Sequence, residues 1–415
     1  MSAALRRSFN SLEVPNYRRY FVGQMISLSG TWMQTVAAIW LILSLTGSGL
    51  AVGATTALQF LPMLLFGAWG GLLADRISKR RLLIATQTLM AIPAIGLLAV
   101  TATGIVAPWM VFLAVFLMGL VNAVDNPTRQ SFVIEMVGPD RVVNAVSLNS
   151  VIVQSARIVG PAFAGLLIAG FGVVPCFAIN ALTFVAMIFA LWSMDPRGLH
   201  TEPVAPRQRG AIRAGLRYVA RTPELAVSLA LMALVGTLGF NFQVVLPLLA
   251  KFSFDGGAMT YGVLVSAMAV GSIAGALVNG AHGRTGPALI AGGALAFGIC
   301  ALLSAAMPTL ALEIPVLAGL GAAAVTFAAT INSTLQLAVA PEMRGRVMAL
   351  YSVVFLGSTP IGGPLVGWLS QAYDPRVALL LAGISGLSAA WAARVSFARL
   401  ERASLKARPL HASAS

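Results

Sequence analysis

The chain has 415 residues, 58% of them hydrophobic and only 10% charged, with a mean hydropathy of +0.87. A soluble domain carries about 25% charged residues, so this composition excludes a water-soluble globular protein. The net charge of +14 would suit nucleic acid in a soluble chain; here the cations border apolar stretches, where anionic headgroups attract them, and a nucleic-acid partner is not expected.

Twelve apolar stretches follow one another, at residues 20–45, 51–73, 82–103, 108–126, 145–170, 174–194, 225–250, 259–280, 286–306, 313–338, 347–371 and 376–397. Each approaches or exceeds the roughly 20 residues that span a bilayer. The first 19 residues are polar, and the apolar run after them is too long for a signal peptide; it reads as helix 1. Of the 27 Lys and Arg, 24 fall in the tails and even-numbered gaps, among them Arg129 after helix 4. Lys251 and Arg376 sit in odd gaps, and Arg157 lies inside helix 5. Retained cytoplasmic cations orient membrane helices. The pattern predicts a multi-pass bacterial inner-membrane protein with both termini in the cytoplasm.

Four segments are expected: a six-helix bundle over 1–194, a linker over 195–224, a second six-helix bundle over 225–398, and a tail over 399–415. Arg209, Arg213, Arg217 and Arg221 recur every fourth residue of the linker and share one helical face. They fit an amphipathic helix on the inner leaflet or a solvated tether. The halves repeat each other. Asn126-Pro-Thr-Arg-Gln130 at the end of helix 4 and Asn332-Ser-Thr-Leu-Gln336 at the end of helix 10 both read N-x-T-x-Q, offset by 206 positions. Gly160-Pro161 with Gly165 in helix 5 has its counterpart in Gly363-Pro364 with Gly367 in helix 11. Paired repeats in a membrane protein point to a secondary transporter with its site between the halves.

The loop after helix 2 runs Gly71-Leu-Leu-Ala-Asp75-Arg76-Ile-Ser-Lys79-Arg80-Arg81. It resembles the signature loop G-x-L-a-D-R-x-G-R-[KR] of the major facilitator superfamily, with Ser78 in place of its glycine. Gly71 is expected to allow close helix approach, and Asp75 to cap a helix or pair with a cation. The resemblance implies a cytoplasmic latch between the halves, formed by Gly71, Asp75, Arg76, Lys79, Arg80 and Arg129. Gly23-Gln24 in helix 1, Gln59-Phe-Leu-Pro62 in helix 2, Asp125-Asn-Pro-x-Arg129-Gln130 and Ala156-Arg-Ile-Val-Gly-Pro161 resemble the drug:proton antiporter-3, enterobactin-exporter-like branch. That likeness implies the major facilitator fold and proton-driven export. Gly160-Pro161-Ala-Phe-Ala-Gly165 is similar to the antiporter motif G-P-x-x-G-G, with one alanine substituted; its other reading is tight packing alone.

Charges inside a membrane mark functional sites by default. Arg157 falls near the midplane, as a cavity cation or a tie between helices. Asp125 lies near the cytoplasmic end of helix 4, as a proton carrier or an ion pair with Arg129 or a loop cation. No carboxylate lies near the midplane of any stretch: Glu313 and Asp255 fall near outer ends, and Glu135 and Asp140 in an inner loop. Arg157 and the neutral Gln34, Gln154, Asn180, Asn241 and Gln243 therefore suit neutral or acidic amphiphiles better than cationic ones. None of the three lysines follows a glycine, so there is no ATP-binding P-loop, and His200, His282 and His411 form no helical metal pair. No cofactor and no catalytic residue is expected. The chain reads as an all-α carrier of two pseudo-symmetric six-helix bundles, active as a monomer, that exports a small amphiphile in exchange for protons. An importer of the same fold and a lipid translocase or assembly factor are the alternatives.

Overall fold

The computed structural model describes residues 10–138, 141–200, 211–282 and 285–407; Asp140, Arg209, Arg284 and His411 lie outside them. Twelve helices are long and apolar enough to cross a membrane: α1 Pro15–Thr46, α2 Gly49–Arg76, α3 Lys79–Ala102, α4 Pro108–Val137, α5 Val142–Phe171, α6 Val174–Trp192, α7 Pro223–Ser253, α8 Ala258–His282, α9 Pro287–Ala306, α10 Leu310–Ala338, α11 Pro341–Ala372 and α12 Pro375–Ala407. Their ends follow local chemistry. Pro15 opens α1, where its missing N–H costs nothing. Gly47, at φ 61°, closes it in the left-handed conformation that glycine favours.

Three helices depart from the hydropathy pattern. α4 does not stop at Asn126; Pro127 stands inside it, and the helix runs to Gly138, φ 72°. The polar 128–131 segment continues the helix because Arg129, Gln130 and Ser131 line a cavity and Thr128 is buried with its hydroxyl on Val124 O. Arg129 is therefore inside a spanning helix, not in a gap. α7 is broken: its first part ends at Leu238, a second begins at Phe242, and Leu249–Ser253 forms a π-helical turn. α12 continues about three turns beyond its apolar stretch, on Arg399 and Arg402.

The helix contacts obey a two-fold rule. In the first half α1 packs on α5 and α6, α2 on α4, and α3 on α4 and α6; in the second, α7 packs on α11 and α12, α8 on α10, and α9 on α10 and α12. Adding six to each number in the first set gives the second. The main contacts between halves, α2 on α11 and α5 on α8, exchange under the same rule. The two N-x-T-x-Q segments occupy equivalent helices, and each carries the same i,i+4 bond: Gln130 Nε2 to Asn126 Oδ1 at 3.2 Å, and Gln336 Nε2 to Asn332 Oδ1 at 2.5 Å.

The side of the molecule away from the chain ends, called here the far side, is closed by backbone against backbone. An ideal Cβ on Gly165 of α5 would lie 3.0 Å from Gly262 Cα of α8, and one on Gly53 of α2 would lie 2.9 Å from Pro364 Cα of α11. Two side chains of the second half cap helices of the first. Lys251 Nζ donates to the Leu43 carbonyl in the last turn of α1, at 3.1 Å. Gln371 Oε1 accepts from Ser48 Oγ at 2.7 Å and from Leu50 N at 3.1 Å, at the start of α2. A cation at a helix C-terminus and an oxygen at an N-terminus both complement the helix dipole.

On the opposite, tail side, the signature loop braces its own bundle. Arg80 Nε donates to Leu191 O and Nη2 to Trp192 O, each at 2.7 Å, closing the end of α6. Lys79 pairs with Glu135 of α4. Arg80→Ala should strip two charged hydrogen bonds from α6 and lower stability by about 1–3 kcal/mol, read as a lower thermal unfolding temperature in detergent. The linker helix Ala211–Arg221 is docked rather than free: Gly215 and Val219 are buried against α11, Tyr218 Oη accepts from Ala340 N at 3.3 Å, and Arg217 and Arg221 remain exposed.

Candidate functional site

A cavity of about 900 Å³ opens within the first bundle, between α1, α2, α4 and α5. It extends from Ala38 and Ile39, about three quarters of the way along α1, down to Ile134 and Val146 on the tail side. Carboxamides and hydroxyls dominate its polar wall: Gln24, Gln34, Gln59, Asn122, Asn126 and Asn149. On α5 the lining residues Val146, Ser150 and Val153 form one stripe at helical spacing.

Asp125 forms the charged end of this wall. It is 2% exposed. Thr86 Oγ1 donates to its Oδ1 at 2.6 Å, and Gln87 Nε2 donates to the same oxygen at 3.0 Å. Arg129 Nε, one turn along α4, pairs with Oδ2. Gln87 accepts in turn from Ser27 Oγ of α1, at 3.2 Å. Three helices thus converge on one carboxylate. The satisfaction is incomplete around it: Arg129 Nη1, Gln24 Oε1, Asn149 Oδ1 and Tyr20 Oη are buried without a partner among the described residues. Three of those residues line the cavity.

The internal repeat supplies a control. At the offset of 206 positions, Asp125 corresponds to Ile331 and Arg129 to Leu335, both fully buried in α10. Thr86 and Gln87 correspond to Gly292 and Gly293, and an ideal Cβ on Gly293 would lie 3.1 Å from Phe327 Cα of α10. The second bundle therefore builds the same helix pair from close apolar contact. A buried ion pair is a weak device for stability, and apolar replacements of similar volume are often neutral or better. The fold does not require the pair that the first bundle keeps.

Arg157 lies halfway along α5, one turn beyond Val153; it is exposed and is not among the residues that line the cavity. Its guanidinium stands 5.2 Å from the ring centroid of Trp32, which lines the cavity. Gly160 lets α1 come this close, since an ideal Cβ there would lie 2.7 Å from Ser29 O and from Trp32 Cβ. Gly165 packs on the opposite bundle, so the helix-5 motif serves two close approaches.

Of the neutral candidates, Gln34 lines the cavity and accepts from Asn180 Nδ2 at 2.5 Å, which places Asn180 behind the wall. Gln154, Asn241 and Gln243 are not part of the cavity wall. Asn241 sits at the break of α7 and donates to Thr237 O at 2.7 Å. The latch residues are not assembled. Asp75 and Arg76 are exposed, Asp75 forms no ion pair or hydrogen bond among the described residues, and Lys79, Arg80 and Arg129 are engaged inside the first bundle. Gly71 meets nothing within 4 Å; its neighbour Gly70 makes the close approach, with a Cβ position 2.9 Å from Val124 Cα. Adjacent helical residues point about 100° apart, so the motif glycine faces away from α4. Ser78 takes φ −51°, and the loop needs no glycine there. Sequence reasoning missed Thr86 and Gln87; the signal was a polar pair inside an otherwise apolar helix 3.

Two six-helix bundles related by a two-fold rule, with a polar cavity facing one side and a glycine seal on the other, define a membrane carrier of the major facilitator type. The chain belongs to the transmembrane secretion effector family, whose profile matches residues 7–412. It is 24% identical over 266 residues to the staphyloferrin A transporter of Staphylococcus aureus, spanning 62% of this chain and, at 65%, just under two thirds of that transporter. It is 26% identical over 385 residues to the enterobactin exporter EntS of Salmonella typhimurium, spanning 89% of each. The crystal structure of the nucleoside transporter NupG superposes with a TM-score of 0.71 at 16% identity, over 92% of this chain and 99% of that one; that likeness concerns the fold. The chain is therefore a multi-pass membrane transporter of small molecules rather than an enzyme.

Proposed function

We propose that the chain exports a small amphiphile across the bacterial inner membrane by alternating access, driven by protons that bind at Asp125. The observation that carries this reading is the asymmetry of the repeat: Asp125 and Arg129 stand where the sister bundle has Ile331 and Leu335. A buried pair that packing does not need, set in a cavity wall with unpartnered polar atoms around it, suits a group that changes its bonding during a cycle. Exchange of Arg129 for a proton as the partner of Asp125 would free the guanidinium for the cavity. The tail side is read as cytoplasmic because nearly all cations lie there. Residues 1–194 and 225–398 then rock as two bundles joined by 195–224, in a monomer, with 399–415 as a cytoplasmic tail. When the tail side closes, Asp75 meets α11 near Arg346–Met348, Arg129, or both. The names of the relatives, an exporter among them, agree with outward transport.

Inverted membrane vesicles test direction and coupling together. With an imposed proton gradient, acid inside, they should accumulate a transported amphiphile and lose it on addition of a protonophore. Accumulation only with the opposite gradient would make the chain a symporter and overturn the export reading.

A further inference from the structure

From the surroundings of Arg157 we infer that the cavity holds the anionic head of its substrate on the Arg157–Trp32 pair, so that the transported amphiphile is a carboxylate or a similar anion. This deepens the export reading and rests on it for the word transported; the binding itself does not. Arginine stays charged and offers five donors in a fixed fork. At Arg157 none of them meets a hydrogen-bond acceptor or carboxylate among the described residues, and the only recorded neighbour of the guanidinium is the indole face of Trp32. The other cations that face the first bundle's interior are spoken for: Arg129 by Asp125, Lys79 by Glu135, Arg80 by the end of α6. A cation midway through a membrane is costly unless it is paired or meets water or ligand. Arg157 is exposed and stands one turn beyond Val153 on α5; it is not itself a lining residue and meets the cavity wall through Trp32, at the edge of the space a solute enters. With the guanidinium 5.2 Å from the Trp32 ring centroid and its N–H groups untaken, two of them are available to a carboxylate in parallel hydrogen bonds. In the same wall Gln59 Nε2 donates to Thr35 Oγ1 at 3.5 Å, while the Thr35 hydroxyl donates to Thr31 O at 2.9 Å; the second amide hydrogen of Gln59 is a neutral donor for the remainder of a polar head.

Quenching of Trp32 fluorescence reads this site without a gradient. Full-length protein in phosphatidylcholine nanodiscs excludes anionic headgroups from the comparison, and the Trp32 component is the difference from Trp32→Phe. Iodide should quench that component about tenfold less efficiently in Arg157→Gln than in the wild type, as expected when a focusing cation is lost; acrylamide, which is neutral, should quench both alike. Arg157→Lys should retain most of the iodide effect, a control against a misfolded Gln variant. In the wild type, 4-phenylbutyrate should protect Trp32 from iodide, and 4-phenylbutyramide should not. Equal iodide quenching with and without Arg157, or equal protection by acid and amide, overturns the inference. Intact protection in an Asp125→Asn protein that still exports against a proton gradient would leave this site standing and remove the coupling reading instead.

Discussion

An Asp125→Asn protein is expected to lose proton-driven efflux, by about 100-fold or more if proton transfer through this group is obligatory, while substrate binding and counterflow exchange persist. Asparagine keeps the shape, and its Oδ1 can still accept from Thr86 and Gln87, but its NH2 group then faces the Arg129 donors and it cannot take up or release a proton. It also leaves Arg129 buried without its counter-charge, which costs about 3–5 kcal/mol when one member of a buried pair is removed. The sister bundle suggests the companion experiment. Asp125→Ile with Arg129→Leu copies Ile331 and Leu335, and the double variant should be at least as stable as the wild type yet inactive under a gradient. Thermal unfolding ranks the three proteins; efflux and exchange in proteoliposomes separate coupling from binding. Gradient-driven efflux at the wild-type rate in either variant would return Asp125 to a purely structural role.

The second large effect is expected at the glycine seal. A side chain at Gly53 would point at the backbone of Gly363 and Pro364, with Pro364 Cα 2.9 Å from its Cβ, and neither can swing aside. Gly53→Val should cost about 1–3 kcal/mol of overpacking in the closed arrangement only. An equal bias toward far-side opening corresponds to about a 5- to 150-fold change in the ratio of states. Gly262→Val, facing Gly165 across the other half of the seal, should act the same way. With Cys176 and Cys300 replaced by alanine, a cysteine at Thr31 in the cavity wall should become reactive to an impermeant maleimide added on the far side. Unchanged far-side labelling in both valine variants would sink the idea.

Hydropathy alone revealed the twelve helices, because lipid leaves the backbone few alternatives; the repeat was read from the paired N-x-T-x-Q and Gly-Pro segments instead. Hydropathy misplaced the end of α4, since Pro127 and four polar neighbours look like a terminator when the cavity they face is unknown. The break in α7 at Gly239 and Phe240 was also hidden, as apolar residues continue across it. Asp125 and Arg129 were legible as a pair from their i,i+4 spacing. Thr86 and Gln87 were not legible as partners of Asp125, because which face α3 turns toward α4 is set by tertiary packing. The motif glycine misled for a related reason: Gly70 and Gly71 are equivalent in sequence, and only the rotation of α2 decides which one touches α4. The latch expected from the signature loop is not assembled among the described residues: Asp75 is exposed without a bonded partner, and Lys79, Arg80 and Arg129 are engaged within the first bundle.

The far-side caps distribute evolutionary freedom unevenly. Lys251 and Gln371 reach across to main-chain groups of Leu43 and Leu50, and every residue except proline presents the same amide and carbonyl. Substitutions at those two positions of the first half leave the caps chemically intact, whereas a change at Lys251 or Gln371 removes one outright. Apart from Ser48, Gly53 and Gly165, whose side chain or lack of one the far side uses directly, the first half can thus drift around its own cavity without loss of these caps.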